Sequence, residues 1–196
     1  MKRITSFRGL IGLLWLSLML GHGSLAARAD TALSEYEVKA AFLFNFTRFV
    51  EWPAPAFTAT NSPFVIGVVG PDPFGKSLDD VVRDASVHGH PIEVKRFHVD
   101  DDLGNCHVVF LSRSIRDKVD PVLRELAGRP ILTVADSEGL AAKGVMLNLL
   151  LVDGSIKRIE VNLKASTACG IQISSKLLSL ARIVDSGESP RPKEAR

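Results

Sequence analysis

The sequence predicts a single-domain α/β fold, with a largely parallel sheet covered on both faces, a helix added in front and a β-hairpin added behind. Three observations predict it. Phe64–Gly70, His107–Ser112 and Pro130–Asp136 are short apolar runs without polar alternation, the pattern of strands buried on both faces. A helical segment separates the last two runs, which gives β-α-β spacing. Two further arms, Val145–Val152 and Ile156–Leu163, flank Asp153-Gly154, the favoured two-residue hairpin turn.

Phe64–Gly70 is read as the central strand. It begins after Pro63 and stops at Gly70-Pro71. In front of it, Ser34–Trp52 is the clearest helix. Ser34-Glu-Tyr-Glu37 matches a capping box, Val38, Phe42, Phe46 and Phe49 recur at helical spacing, and Pro53 and Pro55 end the run. Behind it, Lys76–Val82 is a helix and Ser86–His90 a loop. Pro91–Phe97 alternates and reads as an exposed strand near an edge. Ile115–Ala127 is a helix stopped by Gly128. The second hairpin arm sets Ile159, Val161 and Leu163 against Arg158, Glu160 and Asn162, so one buried face is expected. Ser174 or Ser175 caps a last helix with a stripe of Leu177, Leu180, Ala181 and Val184. Residues 186–196 form a charged, proline-containing tail expected to be disordered.

Residues 1–29 read as an export signal. Lys2, Arg3 and Arg8 precede the apolar stretch Leu10–Leu20, and Ala27-Arg28-Ala29 fits the cleavage rule, which makes Asp30 the first mature residue and the periplasm the destination. Those 29 residues hold four of the 24 basic residues and no acid. The remainder therefore has 24 − 4 = 20 basic against 22 acidic residues, a net of −2. No basic stripe is left to argue for nucleic acid. An exported chain with two cysteines either bridges them or buries them as free thiols; the expectation carried forward is a Cys106–Cys169 disulfide.

Chemical motifs are sparse. Gly70–Lys76 lacks phosphate-loop spacing, and its two prolines remove amides that would cradle a phosphate. His88-Gly-His90 has no partner at metal-ligand spacing, and Asp100-Asp-Asp102 is too compact for a calcium loop, so no metal and no cofactor is expected. No nucleophile elbow marks a hydrolase, and the chain is read as a non-enzyme. Ligands of open α/β sheets sit beyond the carboxyl ends of the strands. Those ends offer Asp72, Ser112, Arg113, Ser114, Asp136 and Glu138 as a small-molecule site. On the first helix, Phe44 falls away from the apolar face among Glu37, Thr47, Arg48 and Glu51. Phe44, Arg48 and Glu51 are therefore the expected partner surface, for another protein or a second copy of the chain.

Several stretches taken together resemble one family. Tyr36-Glu-Val-Lys-Ala-Ala-Phe-Leu-Phe-Asn-Phe-Thr-Arg-Phe-Val-Glu-Trp-Pro53 is similar to the opening of the YfiR/HmsC-like periplasmic proteins. So are Gly70-Pro-Asp-Pro-Phe-Gly75, Val108-Val-Phe-Leu-Ser112, Gly144-Val-Met-Leu-Asn148, Arg158-Ile-Glu-Val-Asn162 and Ile173–Val184, in the same order. Val145 departs from the family, which often has a second Gly there, and better-known relatives carry more cysteines. The resemblance implies a receiver-like, flavodoxin-like fold and a regulatory role. Relatives bind the periplasmic domain of an inner-membrane diguanylate cyclase and hold it inactive, which lowers cyclic di-GMP and biofilm formation. A receiver keeps an acceptor Asp at the end of its third strand, where this chain has Ser112-Arg-Ser114. The alternative reading is a periplasmic small-molecule sensor with its pocket at the strand ends.

Overall fold

A computed structural model describes residues 34–57, 62–152 and 155–187. The expected leader, the Asp153-Gly154 turn and most of the tail lie outside the described residues. The capping box forms as expected. Ser34 Oγ accepts from the Glu37 amide at 3.2 Å, and Glu37 Oε2 accepts from the Ser34 amide at 2.5 Å. They open α1, Glu35–Thr47. The helix stops short of the expected Trp52. The Arg48 and Phe49 amides bond three residues back, to Asn45 and Phe46, and Val50–Glu51 leaves as a two-residue strand, β1. Its partner is β9, Gln172–Ile173, antiparallel. The buried face of α1 is also rotated from the expected one. It is formed by Lys39, Ala40, Leu43, Phe46 and Thr47, and Phe49 is 36% exposed.

The central strand is confirmed. β2, Phe64–Val69, is buried at every position. It is followed by α2 (Ser77–Val82), β3 (Ser86–Val87) and β4 (His90–Phe97). The expected loop Ser86–His90 is a tight hairpin. His88 and Gly89 have φ of 51° and 84°, the pair of positive values a two-residue primed turn requires. Next come β5 (Val108–Leu111), a 3-10 turn (Arg113–Lys118), α3 (Val119–Glu125) and β6 (Leu132–Ala135). The hairpin β7 (Leu147–Val152) and β8 (Ser155–Val161) pairs antiparallel with an irregularity at Leu150/Leu151. α4 (Leu163–Ala168) then starts where a continuing strand was expected, because Asn162 caps it by accepting from the Ala165 amide. The last helix, α5, is only Ser175–Leu180. Arg182–Ile183 leaves it to pair with β8 as β10, so the expected stripe breaks up: Leu177 and Val184 are buried while Leu180 is 75% exposed.

The sheet has the order β10-β8-β7-β6-β5-β2-β4-β3. Its five mutually parallel strands lie β4-β2-β5-β6-β7, which is 2-1-3-4-5 by rank along the chain. The fold is a mixed α/β one, as expected. Phe64, Ile66, Val68, Phe110 and Val134 face one core, which α1 and α2 cover with Leu43, Phe46 and Leu78. Val65, Val69, Val109 and Leu111 face the other, under Ile115, Val119 and Val122. Cover on both faces is why the runs show no alternation. Glu160 on β8 and Asn162, the cap of α4, are buried against expectation, Glu160 accepting from Asn148 and Asn162 donating to the Ala141 carbonyl.

The expected disulfide is not formed. Both cysteines are free. Cys106 belongs to the core under α3, whereas Cys169 packs on the core under α1, across the sheet.

Candidate functional site

α1 carries a lysine on its buried face, and that lysine defines the site. A buried ammonium is costly unless it meets an opposite charge. Lys39 is 1% exposed, and its Nζ donates to Asp136 Oδ2 at 2.6 Å and to Glu35 one turn back. Asp136 follows the last residue of β6, so the contact ties α1 to the carboxyl end of the sheet. Tyr36 donates its hydroxyl to the same Oδ2 at 3.0 Å, and Lys39 Nζ lies 4.5 Å from the centre of its ring. Arg113 closes the group from the β5 side. Its Nη2 reaches the Asp136 carbonyl at 3.3 Å, Glu35 Oε1 at 3.4 Å and Asp136 Oδ2 at 3.7 Å.

The electrostatics follow from these contacts. The hydrogen bond from Lys39 holds Glu35 below the usual carboxylate range. Burial, with the Asp136 charge as the next cause, raises the Tyr36 phenol to about 12. A second network joins the neighbouring strand ends. Asn148 on β7 donates to the Ser137 carbonyl at 2.9 Å and to Glu160 Oε2 at 3.0 Å, and accepts from the Ser137 amide at 3.2 Å. Glu160 Oε1 in turn lies 2.8 Å from Arg158 Nε.

Of the strand-end residues expected to form a ligand site, the structure brings Arg113, Asp136 and Glu138 together. They line a cleft of about 290 Å³ with Arg116, Ser137, Leu150, Leu151 and Lys157. Asp72 and Ser112 are not part of it. Asp72 accepts from Arg96 Nε at 3.0 Å and from the Phe74 amide at 2.8 Å, so it serves the turn after β2. Ser112 is 3% exposed and donates to the Pro71 carbonyl at 2.8 Å, with Ser114 Oγ 3.0 Å away. Packing closes the crevice between β2 and β5. Gly70 stands there with φ +89°, and a Cβ on it would meet Ile115 Cγ2 at 2.6 Å.

The expected partner surface is divided. Phe44 is half-buried against the core under α1, so it does not stand free among charges. The rotation of the helix face explains this: Phe44 adjoins Leu43 at the margin of the buried stripe. Arg48 and Glu51 are exposed and flank a shallow groove of about 210 Å³ with Phe49, His88 and Gln172.

Sequence reasoning missed Glu35, Tyr36, Lys39, Asn148 and Glu160. One signal was available for Lys39. It stands four and seven residues before Leu43 and Phe46, on the same helical face, and a charge on such a face implies a buried partner.

Among the described residues there is no cluster of histidines, cysteines and carboxylates able to hold a metal, and no helix long and apolar enough to cross a membrane. Residues 36–182 match the model of the YfiR/HmsC-like family. That match takes in α1 from Tyr36 onward, the whole parallel sheet and the Lys39–Asp136 pair, and it extends over well over half of the chain; the protein belongs to the YfiR/HmsC-like family.

Proposed function

We propose that this protein is a periplasmic regulator that binds the periplasmic domain of a membrane-bound diguanylate cyclase and represses it. The observation that carries the reading is the family match over residues 36–182, since the family is known in the context of cyclic di-GMP regulation and is periplasmic in general. Two features support it. The 2-1-3-4-5 order of the parallel strands fits a receiver-like, flavodoxin-like scaffold. The residues at the ends of β5 and β6 serve structure: the Ser112 hydroxyl is spent on Pro71, and Asp136 Oδ2 on Lys39 and Tyr36. That favours recognition over reaction, and hence a regulatory rather than a catalytic protein.

The partner surface we assign centres on Arg48 and Glu51, with Phe44 and Phe49 as its apolar part. The test is capture of a cyclase from solubilised membranes by the purified protein, together with cyclic di-GMP in cells lacking the gene. A cyclase should be captured and cyclic di-GMP should rise. Glu51→Arg and Phe49→Ala should weaken capture by about 2 kcal/mol at a hot spot, with thermal stability unchanged. Unchanged cyclic di-GMP in the deletion, or capture that yields no cyclase, would sink the reading.

A further inference from the structure

The cleft beyond β6 and β7 presents more positive than negative charge. Arg113, Arg116 and Lys157 line it, against Asp136 and Glu138. Asp136 is already matched by Lys39, and Lys157 lies 3.6 Å from Glu138. Arg116 has no ion-pair partner among the described residues.

We propose that this cleft binds a small phosphate-bearing molecule, with its charged oxygens on Arg113, Arg116 and Lys157. Guanidinium pairs suit such oxyanions. The cleft of about 290 Å³ is larger than one phosphate, and Leu150 and Leu151 on its wall suit a short organic body.

The site reaches α1 through one side chain. Arg113 lines the cleft and also lies 3.4 Å from Glu35 Oε1 in the first turn of α1. A bound oxyanion competes with Glu35 for that guanidinium, so occupancy loosens one of the ties that hold the helix. This inference does not rest on the cyclase reading, and its test needs no partner.

Titration calorimetry of the purified protein with inorganic phosphate and glycerol 3-phosphate decides it. Both should bind. Tighter binding of the monoester than of phosphate would identify an organic ligand; the reverse would identify the free ion. Arg116→Gln should weaken phosphate about tenfold and leave thermal stability unchanged, because the side chain has no partner to lose. Glu35→Gln should tighten phosphate by freeing Arg113. Unaltered binding in Arg116→Gln, or no heat up to about 10 mM phosphate, where any useful site would be occupied, overturns the proposal.

Discussion

The two ends of the sheet hold the same N-terminal segment by opposite means. At the carboxyl end of the strands the hold on α1 is ionic: Lys39, Arg113 and Tyr36 converge on Asp136, and Glu35 pairs with Lys39 and Arg113. At the amino end it is neutral. Phe57 stacks on His107 at 5.2 Å and on His90 at 4.8 Å, and His107 stacks on Phe64 at 4.7 Å. Trp52 Nε1 donates to the His107 carbonyl at 3.1 Å; the His107 ring accepts from the Val65 amide at 3.1 Å and reaches the Ala56 carbonyl at 3.1 Å. The difference teaches where each end is fragile. A buried ionic junction fails badly when one partner is removed, whereas a stacked neutral one fails when its imidazole becomes charged.

The largest effect is expected at the ionic end. Asp136→Ala strands the Lys39 ammonium and should cost about 3–5 kcal/mol in urea unfolding. Pairing Asp136→Leu with Lys39→Met removes both charges and should recover most of that loss, because an apolar replacement of a buried pair is often close to neutral. A double variant as unstable as the single one would show that shape, not charge, matters at this junction.

Most of the sheet was legible in the sequence and most of this junction was not, for a physical reason. Phe64–Val69, Val108–Leu111 and Leu132–Ala135 announce themselves because burial on both faces demands unbroken apolar runs. The capping box is equally local. Lys39, Asn148 and Glu160 are polar residues inside apolar patterns, and their meaning lies in partners as far as 97 residues away. The α1 face was misread because Phe42 and Phe49 drew the stripe toward themselves; Phe49 lies beyond the helix, where the chain turns into β1. The Cys106–Cys169 bridge failed because sequence separation carries no information about which side of a sheet a thiol occupies.

A spectroscopic prediction sharpens the ionic end. Tyr36 is the one tyrosine of the chain, so ultraviolet absorbance reads its phenol directly. Phenolate should appear at about 12 in the folded protein, against 10.0 for a free tyrosine. Since the folded value is raised, this hydroxyl contributes stability that is present below pH 10.0 and lost as pH climbs toward about 12. Asp136→Asn should bring the midpoint partway down, leaving the share due to burial. A midpoint at 10.0 in the parent would mean that the phenol is free of Asp136.

At the neutral end a smaller loss is expected. Trp52→Phe keeps the ring against Phe64, 5.1 Å between centres, and removes the indole donor from the His107 carbonyl. One neutral hydrogen bond contributes about 1 kcal/mol, so a modest drop in thermal midpoint should follow, far below that of Asp136→Ala. A loss as large as that of Asp136→Ala would erase the contrast between the ends.

Acid separates the two ends more finely. Burial, the largest cause, lowers the His107 pKa below the 6.5 of a free imidazole, with the His90 charge adding to the effect. The unfolded chain therefore takes up a proton near pH 6.5 that the folded chain resists. Stability from the neutral imidazole is present above pH 6.5 and drains away as pH falls toward the lowered folded value, by at most about 1.4 kcal/mol per pH unit for one proton. Glu35 works in a lower window. Its folded pKa lies below 4.5, so its contribution persists until pH drops past 4.5. Between pH 7 and 5 the ionic end should hold while the neutral end weakens. Unfolding measured at intervals across that range, in the parent and in His107→Gln, isolates the effect. The difference between the two curves should slope below pH 6.5 and be flat above it. Parallel curves would show that the stacked imidazole does not sense acid, and the contrast between the two ends would then rest on Asp136 alone.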